Sequence, residues 1–389
     1  MRPGAVAGAA VLVALCAASY LLHDLPDFGR ASSFEVLSGA AFGVILQRSR
    51  FCFASAFRDL FLLGSTRAAL GVLAALAVGS LGYLVVLGAQ LPDPRAGYPH
   101  PTAHITPAGP HLLLGGASFG LGMVLAGGCI SGHLYRLGEG SLFSLTALLG
   151  ALAGFGVGFL SWNFLWVKTI ATAPLLWLPA WMGYAGAALL QFAVLSALAA
   201  LLLRFAQAPP ASPAVASSGL RDALRSVFQR GWPHWIGGAA IGVLATFTFL
   251  RTEPLGVTAE IGRLSRRAGS ALGVLPDRLE GLEGLKGCRA VLSDAWVTDA
   301  GLFAAALVAG SLAAALLAGE FRLRAGKPRT HFLAFGGGIL LGFGAMISLG
   351  CTVGTLLSGI MAFSLSGWLF AAGLAGGAWA GSRVLRRLA

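Results

Sequence analysis

Residues 116–132 read GASFGLGMVLAGGCISG, and residues 338–354 read GILLGFGAMISLGCTVG. A constant offset of 222 aligns Gly116 with Gly338, Gly120 with Gly342, Gly122 with Gly344, Gly128 with Gly350, Cys129 with Cys351 and Gly132 with Gly354. Six ungapped coincidences, one of them a rare cysteine, mark an internal repeat. Outward from this pair, Gly39-Ala-Ala-Phe-Gly43-Val44 matches Gly238-Ala-Ala-Ile-Gly242-Val243 at an offset of 199. Gly39, Gly43 and Cys52 also match Gly116, Gly120 and Cys129 at an offset of 77. Each half of the chain therefore carries two related units, and the remaining unit has Arg251 at the position of the cysteine.

Bulk composition sets the class. The 389 residues are 57% hydrophobic and 11% charged, with mean hydropathy +0.80. Soluble domains carry about 25% charged residues. The 56 glycines suit membrane helices, whose backbones approach closely at small residues. Apolar runs predict ten membrane-crossing segments, at 4–22, 32–47, 68–90, 111–126, 141–163, 183–204, 234–250, 299–319, 332–348 and 366–385. The expected fold is an all-α polytopic membrane protein, with two inverted repeats and re-entrant half-helices. Its parts are an extra N-terminal helix (1–31), a first half (32–182), a connecting helix and linker (183–233) and a second half (234–389). An odd number of crossings, five, separates the helix at 32 from that at 234, so the halves face opposite ways.

Lys and Arg placement gives the orientation. With both termini in the cytoplasm, the inner segments hold seventeen basic residues against four acids (Asp59, Glu139, Asp222 and Glu320). The net charge of +12 thus reflects topology at a bacterial inner membrane, and no nucleic-acid face is needed. The first apolar stretch lacks a small-residue cleavage site and is read as a retained helix facing membrane lipids.

Three cysteine sites carry the chemistry. The first is Gln47-Arg48-Ser49-Arg50-Phe51-Cys52-Phe53, running on to Arg58-Asp59. The second is Gly127-Gly128-Cys129-Ile130-Ser131-Gly132, followed by Arg136 and Glu139, and the third is Gly350-Cys351-Thr352-Val353-Gly354. Glycines beside a cysteine permit a sharp break and a close approach of backbone to a ligand. A half-helix starting after the break, with Ser131 or Thr352 in its first turn, offers free N–H groups to an anion. A neutral thiol is a weak donor and a soft, polarisable acceptor, suited to a substrate with a terminal sulfur. Arg48 and Arg50 either steer anions or anchor the membrane edge. Arg58 with Asp59, and Arg136 with Glu139, have the spacing of local ion pairs. Cys16 and Cys288 read as small apolar residues.

These motifs resemble the YeeE/YedE family of sulfur-transport membrane proteins. The matching text is QRSRFCFASAFRDL at 47–60, GLGMVLAGGCISGHLYRLGEG at 120–140, GEFRLRA at 319–325 and GGGILLGFGAMISLGCTVGTLLSGIMAFSLSGW at 336–368. The resemblance implies thiosulfate uptake along a narrow route in an hourglass-shaped protein, with transient thiol contacts at Cys52, Cys129 and Cys351. It also implies a small cytoplasmic sulfurtransferase of the TusA type as partner. The chain departs from shorter members in its first helix, and His133 and Leu134 stand where members vary. One branch of the family is tied to selenium metabolism, so a selenium-containing anion is an alternative substrate. A membrane thiol oxidoreductase or sulfurtransferase is the other alternative, though no CxxC pair is present. No catalytic residue, cofactor or metal is expected: there is no Walker-type phosphate loop, and the histidines at 100 and 104 are too irregularly placed for a metal site. The segments 91–110 and 251–298 read as outer loops, the second of which dips into the membrane after Arg251.

Overall fold

The structure, a computed structural model, describes residues 3–206 apart from 27 and 97, residues 231–285 apart from 277, and residues 295–388. Cys288 and most of the linker between the halves lie outside the described residues. No strand forms among the described residues, only two isolated bridges, Ser141–Arg324 and Trp177–Ser364.

The helices are α1 (Pro3–Asp24), α2 (Arg30–Ser49), α3 (Phe53–Leu63), α4 (Arg67–Gln90), α5 (Pro110–Ala126), α6 (Ile130–Gly138), α7 (Leu142–Leu165) and α8 (Leu178–Arg204). After the linker come α9 (His234–Arg251), α10 (Ala259–Ala271), α11 (Asp299–Ala318), α12 (Pro328–Ile347), α13 (Thr352–Met361) and α14 (Leu365–Leu388). Each of the ten segments predicted to cross the membrane coincides with a helix of 17 residues or more. Among the described residues, seven helical segments are long and apolar enough to cross by length and composition. Of the others, α2 and α14 carry charged residues toward their ends, including Glu35, Arg48 and Arg386, and α9 runs from His234 to Arg251. The protein is an all-α, multi-pass membrane protein.

Four times the chain runs long helix, short helix, long helix: α2–α3–α4, α5–α6–α7, α9–α10–α11 and α12–α13–α14. The repeated glycines explain how these units join. A Cβ at Gly39 or Gly43 of α2 would overlap the carbonyls of Phe303 or Leu307 of α11. Gly238 and Gly242 of α9 meet the carbonyls of Gly71 and Ala75 of α4 in the same way. So do Gly116 and Gly120 of α5 against Phe370 and Leu374 of α14, and Gly338 and Gly342 of α12 against Ala147 and Ala151 of α7. Glycines four apart form one ridge of a helix, and without side chains they let a second backbone lie directly on it. In every case the first helix of one unit runs parallel to the third helix of its partner unit.

The first helices of partner units run against each other. Gly122 faces Gly337 while Gly115 faces Gly344, so α5 and α12 are antiparallel. Gly237, early in α9, likewise meets Ser49 at the end of α2.

Among the described residues, two helices stand outside the four units. α1 packs on α2 and α11, and α8 packs on α4. Only 11% of the apolar stretch of α1 and 17% of that of α8 is buried, against 44–61% for the other five apolar spans. Val13, Tyr20, Trp181 and Leu189 are exposed there, and Cys16 on α1 is exposed with them. Large exposed apolar faces on long helices are surfaces for lipid.

Candidate functional site

The three sequence-predicted cysteines occupy one local geometry. Each follows a long helix and is the residue immediately before a short one: Cys52 before α3, Cys129 before α6 and Cys351 before α13. Two residues ahead of each cysteine the backbone enters the left-handed region, at Arg50 (φ 51°), Gly127 (φ 78°) and Leu349 (φ 57°). Only Gly127 adopts this conformation without a steric penalty. The same bend is thus built at the first site without the glycine frame that marks the other two. All three thiols are buried, with exposures of 4%, 0% and 0%.

The first two sites converge. Cys52 Sγ and Cys129 Sγ lie 3.8 Å apart, and Ser131 Oγ is 3.3 Å from the Cys129 sulfur. Gly132 makes this possible: a Cβ there would lie 2.9 Å from the Cys52 sulfur and 3.4 Å from that of Cys129. Gly128 is equally confined, by Arg136 and His133. Arg136 donates from Nη1 to the Gly127 carbonyl and from Nε to the Tyr135 hydroxyl, bracing the turn ahead of Cys129.

At the ends of α2, α6 and α11 lies a polar network. Arg50 pairs with Glu139 at 2.8 Å and with Glu320 at 2.9 Å. Gln47 donates to both carboxylates, and Arg48 reaches Glu320 at 3.4 Å. The network ties the end of α2 to residues beyond α6 and α11. Arg48 is 1% exposed, and its Nε and Nη2 make no hydrogen bond, an unusual state for a buried guanidinium. The expected Arg136–Glu139 pair does not form. Glu139 lies past the last residue of α6 and turns to Arg50, while Arg136 turns back to Gly127. Arg58 makes its predicted pair with Asp59 at 2.8 Å and stays outside the network.

The third site lies elsewhere along the bundle. Cys351 Sγ accepts the N–H of Val353 at 3.4 Å, and Val257 and Thr258 adjoin it. Thr352 Oγ1 is buried without a partner, Gly354 is buried, and Gly350 is hemmed in by His104 and Thr355. On α5, the Cys351 break lies near Gly115 and the Cys129 break follows Ala126. Eleven helical residues between them correspond to about 16 Å.

Thr258, and not Arg251, takes the cysteine's place in the third unit. Arg251 is still the last residue of α9, whereas Thr258 is the residue before the short helix α10 and sits beside Cys351. The pairing of Cys52 with Cys129 is thus mirrored by Thr258 with Cys351. The segment 91–110 is not simply an outer loop: residues 103–108 are buried, and His104 Nε2 lies 3.2 Å from Thr355 Oγ1. Glu320, marked in the sequence only as one of the inner acids and by its place in the GEFRLRA stretch, is the shared partner of Gln47, Arg48 and Arg50.

A cavity of about 690 Å³ opens at the end of the bundle away from the Arg50 network. His104, Leu255 and Gly256 are among its lining residues, the last two adjoining in the chain Val257 and Thr258, which touch Cys351. Arg251, Glu35, Glu260 and Arg263 line its walls. Burial pushes the Glu260 carboxyl up, but hydrogen bonds from Arg263 and Thr298 outweigh it and hold the group below the ordinary carboxylate range.

The buried thiols stand at the breaks of a multi-pass helical bundle, and its sequence places that bundle among membrane transporters. The chain belongs to the sulphur transport family, which it matches over residues 48–380. It is 28% identical over 359 residues to the thiosulfate transporter TsuA of Escherichia coli, covering 89% of this chain and 92% of that one. It is 30% identical over 370 residues to the thiosulfate transporter TsuA of Spirochaeta thermophila, covering 90% of this chain and 98% of that one. The protein is a transporter and not an enzyme.

Proposed function

We infer that the protein takes up thiosulfate, or a closely related small sulfur-containing anion, into the cytoplasm along a route lined by Cys52, Cys129 and Cys351. The observation that carries this reading is the shared geometry of the three buried cysteines, two of them with sulfurs 3.8 Å apart. Thiosulfate offers a soft terminal sulfur at one end and hard oxygens at the other. Neutral thiols contact the first without the repulsion that a thiolate would exert on a dianion. The names of the relatives support the same substrate.

In this reading the anion enters through the cavity at the Arg251 end, passes Cys351 and then the Cys52–Cys129 pair, and leaves past the Arg50–Glu139–Glu320 network. The glycines at 128, 132, 350 and 354 and the hydroxyls of Ser131 and Thr352 shape the two breaks. Both termini lie in the cytoplasm of a bacterial cell, as the basic residues favour. The halves 32–182 and 234–389 form an inverted repeat, which the antiparallel packing of α5 on α12 supports. A TusA-like sulfurtransferase is a fitting acceptor at the cytoplasmic mouth.

Purified protein in liposomes tests the substrate. Labelled thiosulfate is expected to enter, with unlabelled thiosulfate competing well and sulfate, which lacks the soft atom, competing poorly. Entry of sulfate or of a selenium oxyanion in preference to thiosulfate would overturn the assignment.

A further inference from the structure

His133 lies one turn into α6 from Cys129, and its backbone N–H donates to the Cys129 carbonyl at 2.9 Å. The residue is 1% exposed. Its ring is fixed on one side by Ser144 of α7, whose Oγ lies 3.3 Å from Nδ1, and on another by Phe143, edge-on at 6.2 Å. Nε2 faces the Gly128 main chain but makes no well-formed hydrogen bond. A Cβ at Gly128 would lie 3.2 Å from His133 Nε2 and 3.1 Å from Arg136 Nη1. Two nitrogens from successive turns of α6 therefore crowd the side of Gly128 where a side chain would stand, too closely for a Cβ to fit without a shift, at the N-terminal end of that helix. Buried polar atoms without partners are rare, and a transient ligand is one of the few reasons to keep one.

We propose that His133 and Arg136 hold the oxygen end of the transported anion at the Gly127–Gly128 turn while Cys52 and Cys129 face its terminal sulfur. The ligand class is a tetrahedral sulfur oxoanion with one soft terminal atom and two or more oxygens. This deepens the reading of the cysteine route and rests on it. For this the ring proton must sit on Nε2, so the Ser144 hydroxyl turns from Ser141, to which it donates at 3.1 Å, and donates instead to Nδ1, 3.3 Å away. Hard N–H donors and soft thiols then meet opposite ends of one small ion, giving the site an orientation that cysteines alone do not supply. With the thiols buried, the anion reaches this seat when the turn moves aside, and His133 gains its partner at that moment.

The test is thiosulfate uptake by reconstituted His133→Ala, His133→Gln and Cys129→Ala proteins, each checked for monodispersity in detergent. His133→Ala is expected to raise the half-saturation concentration about tenfold, as loss of a hydrogen bond to a charged ligand does, with the maximal rate changed far less. His133→Gln retains an N–H donor and is expected to recover most of that affinity. A purely packing role would leave the Gln protein as impaired as the Ala protein, and that result overturns the proposal, as does an unchanged half-saturation concentration in His133→Ala. Should the Ala protein not assemble, His133→Met supplies similar bulk without a donor and takes its place with the same two outcomes. If Cys129→Ala transports normally, the underlying cysteine route fails. If it is inactive while His133→Ala behaves as wild type, only the oxygen-end assignment falls.

Discussion

The sulfur atoms of Cys52 and Cys129 lie 3.8 Å apart although 77 residues separate them in the chain. The spacing is van der Waals contact, well beyond the roughly 2.05 Å of a disulfide bond. It follows from two helix breaks of the same shape brought together across α2 and α6, with Gly132 leaving room for both sulfurs.

Treatment with a two-electron thiol oxidant is expected to join Cys52 to Cys129 and to leave Cys351 free, since among the described residues Cys351 has no thiol partner and its sulfur accepts from the Val353 N–H. Uptake should stop on oxidation and return with dithiothreitol. Mass spectrometry of non-reduced peptides reads the linkage, and a dominant bridge to Cys351 would contradict the arrangement.

The place of Thr258 beside Cys351 predicts that Thr258→Cys builds a second sulfur pair. Under the same oxidant this variant should acquire a disulfide between the introduced thiol and Cys351, a link that the wild-type chain cannot form. Absence of that link, with the Cys52–Cys129 link intact, would show that Thr258 is not the counterpart of the cysteines.

Glycine packing yields a sharp contrast within one helix. A Cβ at Gly342 of α12 would overlap the Ala151 carbonyl, whereas one at Gly336 meets nothing within 4 Å. Gly342→Val should destabilise the protein by about 3 kcal/mol and deplete it from membranes. Gly336→Ala should be neutral or stabilising, by up to about 1 kcal/mol. Thermal melting of the purified proteins and quantitative blotting of membranes distinguish the two.

Glu139 is 3% exposed and accepts from both Arg50 and Gln47. Glu139→Gln is expected to reduce stability by roughly 1.5–3 kcal/mol, the range for hydrogen bonds to charged groups. Because Glu320 shares the same donors, the effect of Glu320→Gln should not simply add to it. Strict additivity in a double-mutant cycle on melting data would argue against a single network.

Much of this architecture was legible in the sequence, for a physical reason. Membrane helices announce themselves by length and apolarity, and glycines that admit a backbone cannot be replaced cheaply, so Gly116, Gly120, Gly338 and Gly342 preserve the register of the repeat. The three cysteines stand out against that register. What escaped lies where the register breaks. Seven residues separate Arg251 from Thr258, so a constant offset pointed to the wrong residue. Arg136 and Glu139 are three apart, a spacing that favours pairing within a helix. Yet α6 ends at Gly138, and the chain beyond it carries Glu139 across to Arg50. Prolines and polar residues made 91–110 look like a surface loop. Its burial depends on the tertiary partner of His104, Thr355, which no local pattern reveals.

The most direct test of the cysteine route is the initial rate of labelled thiosulfate entry into liposomes containing the Cys129→Ala protein. A rate at the protein-free background, from a protein that melts like wild type, is the expected result. Uptake at the wild-type rate by that same protein would contradict it.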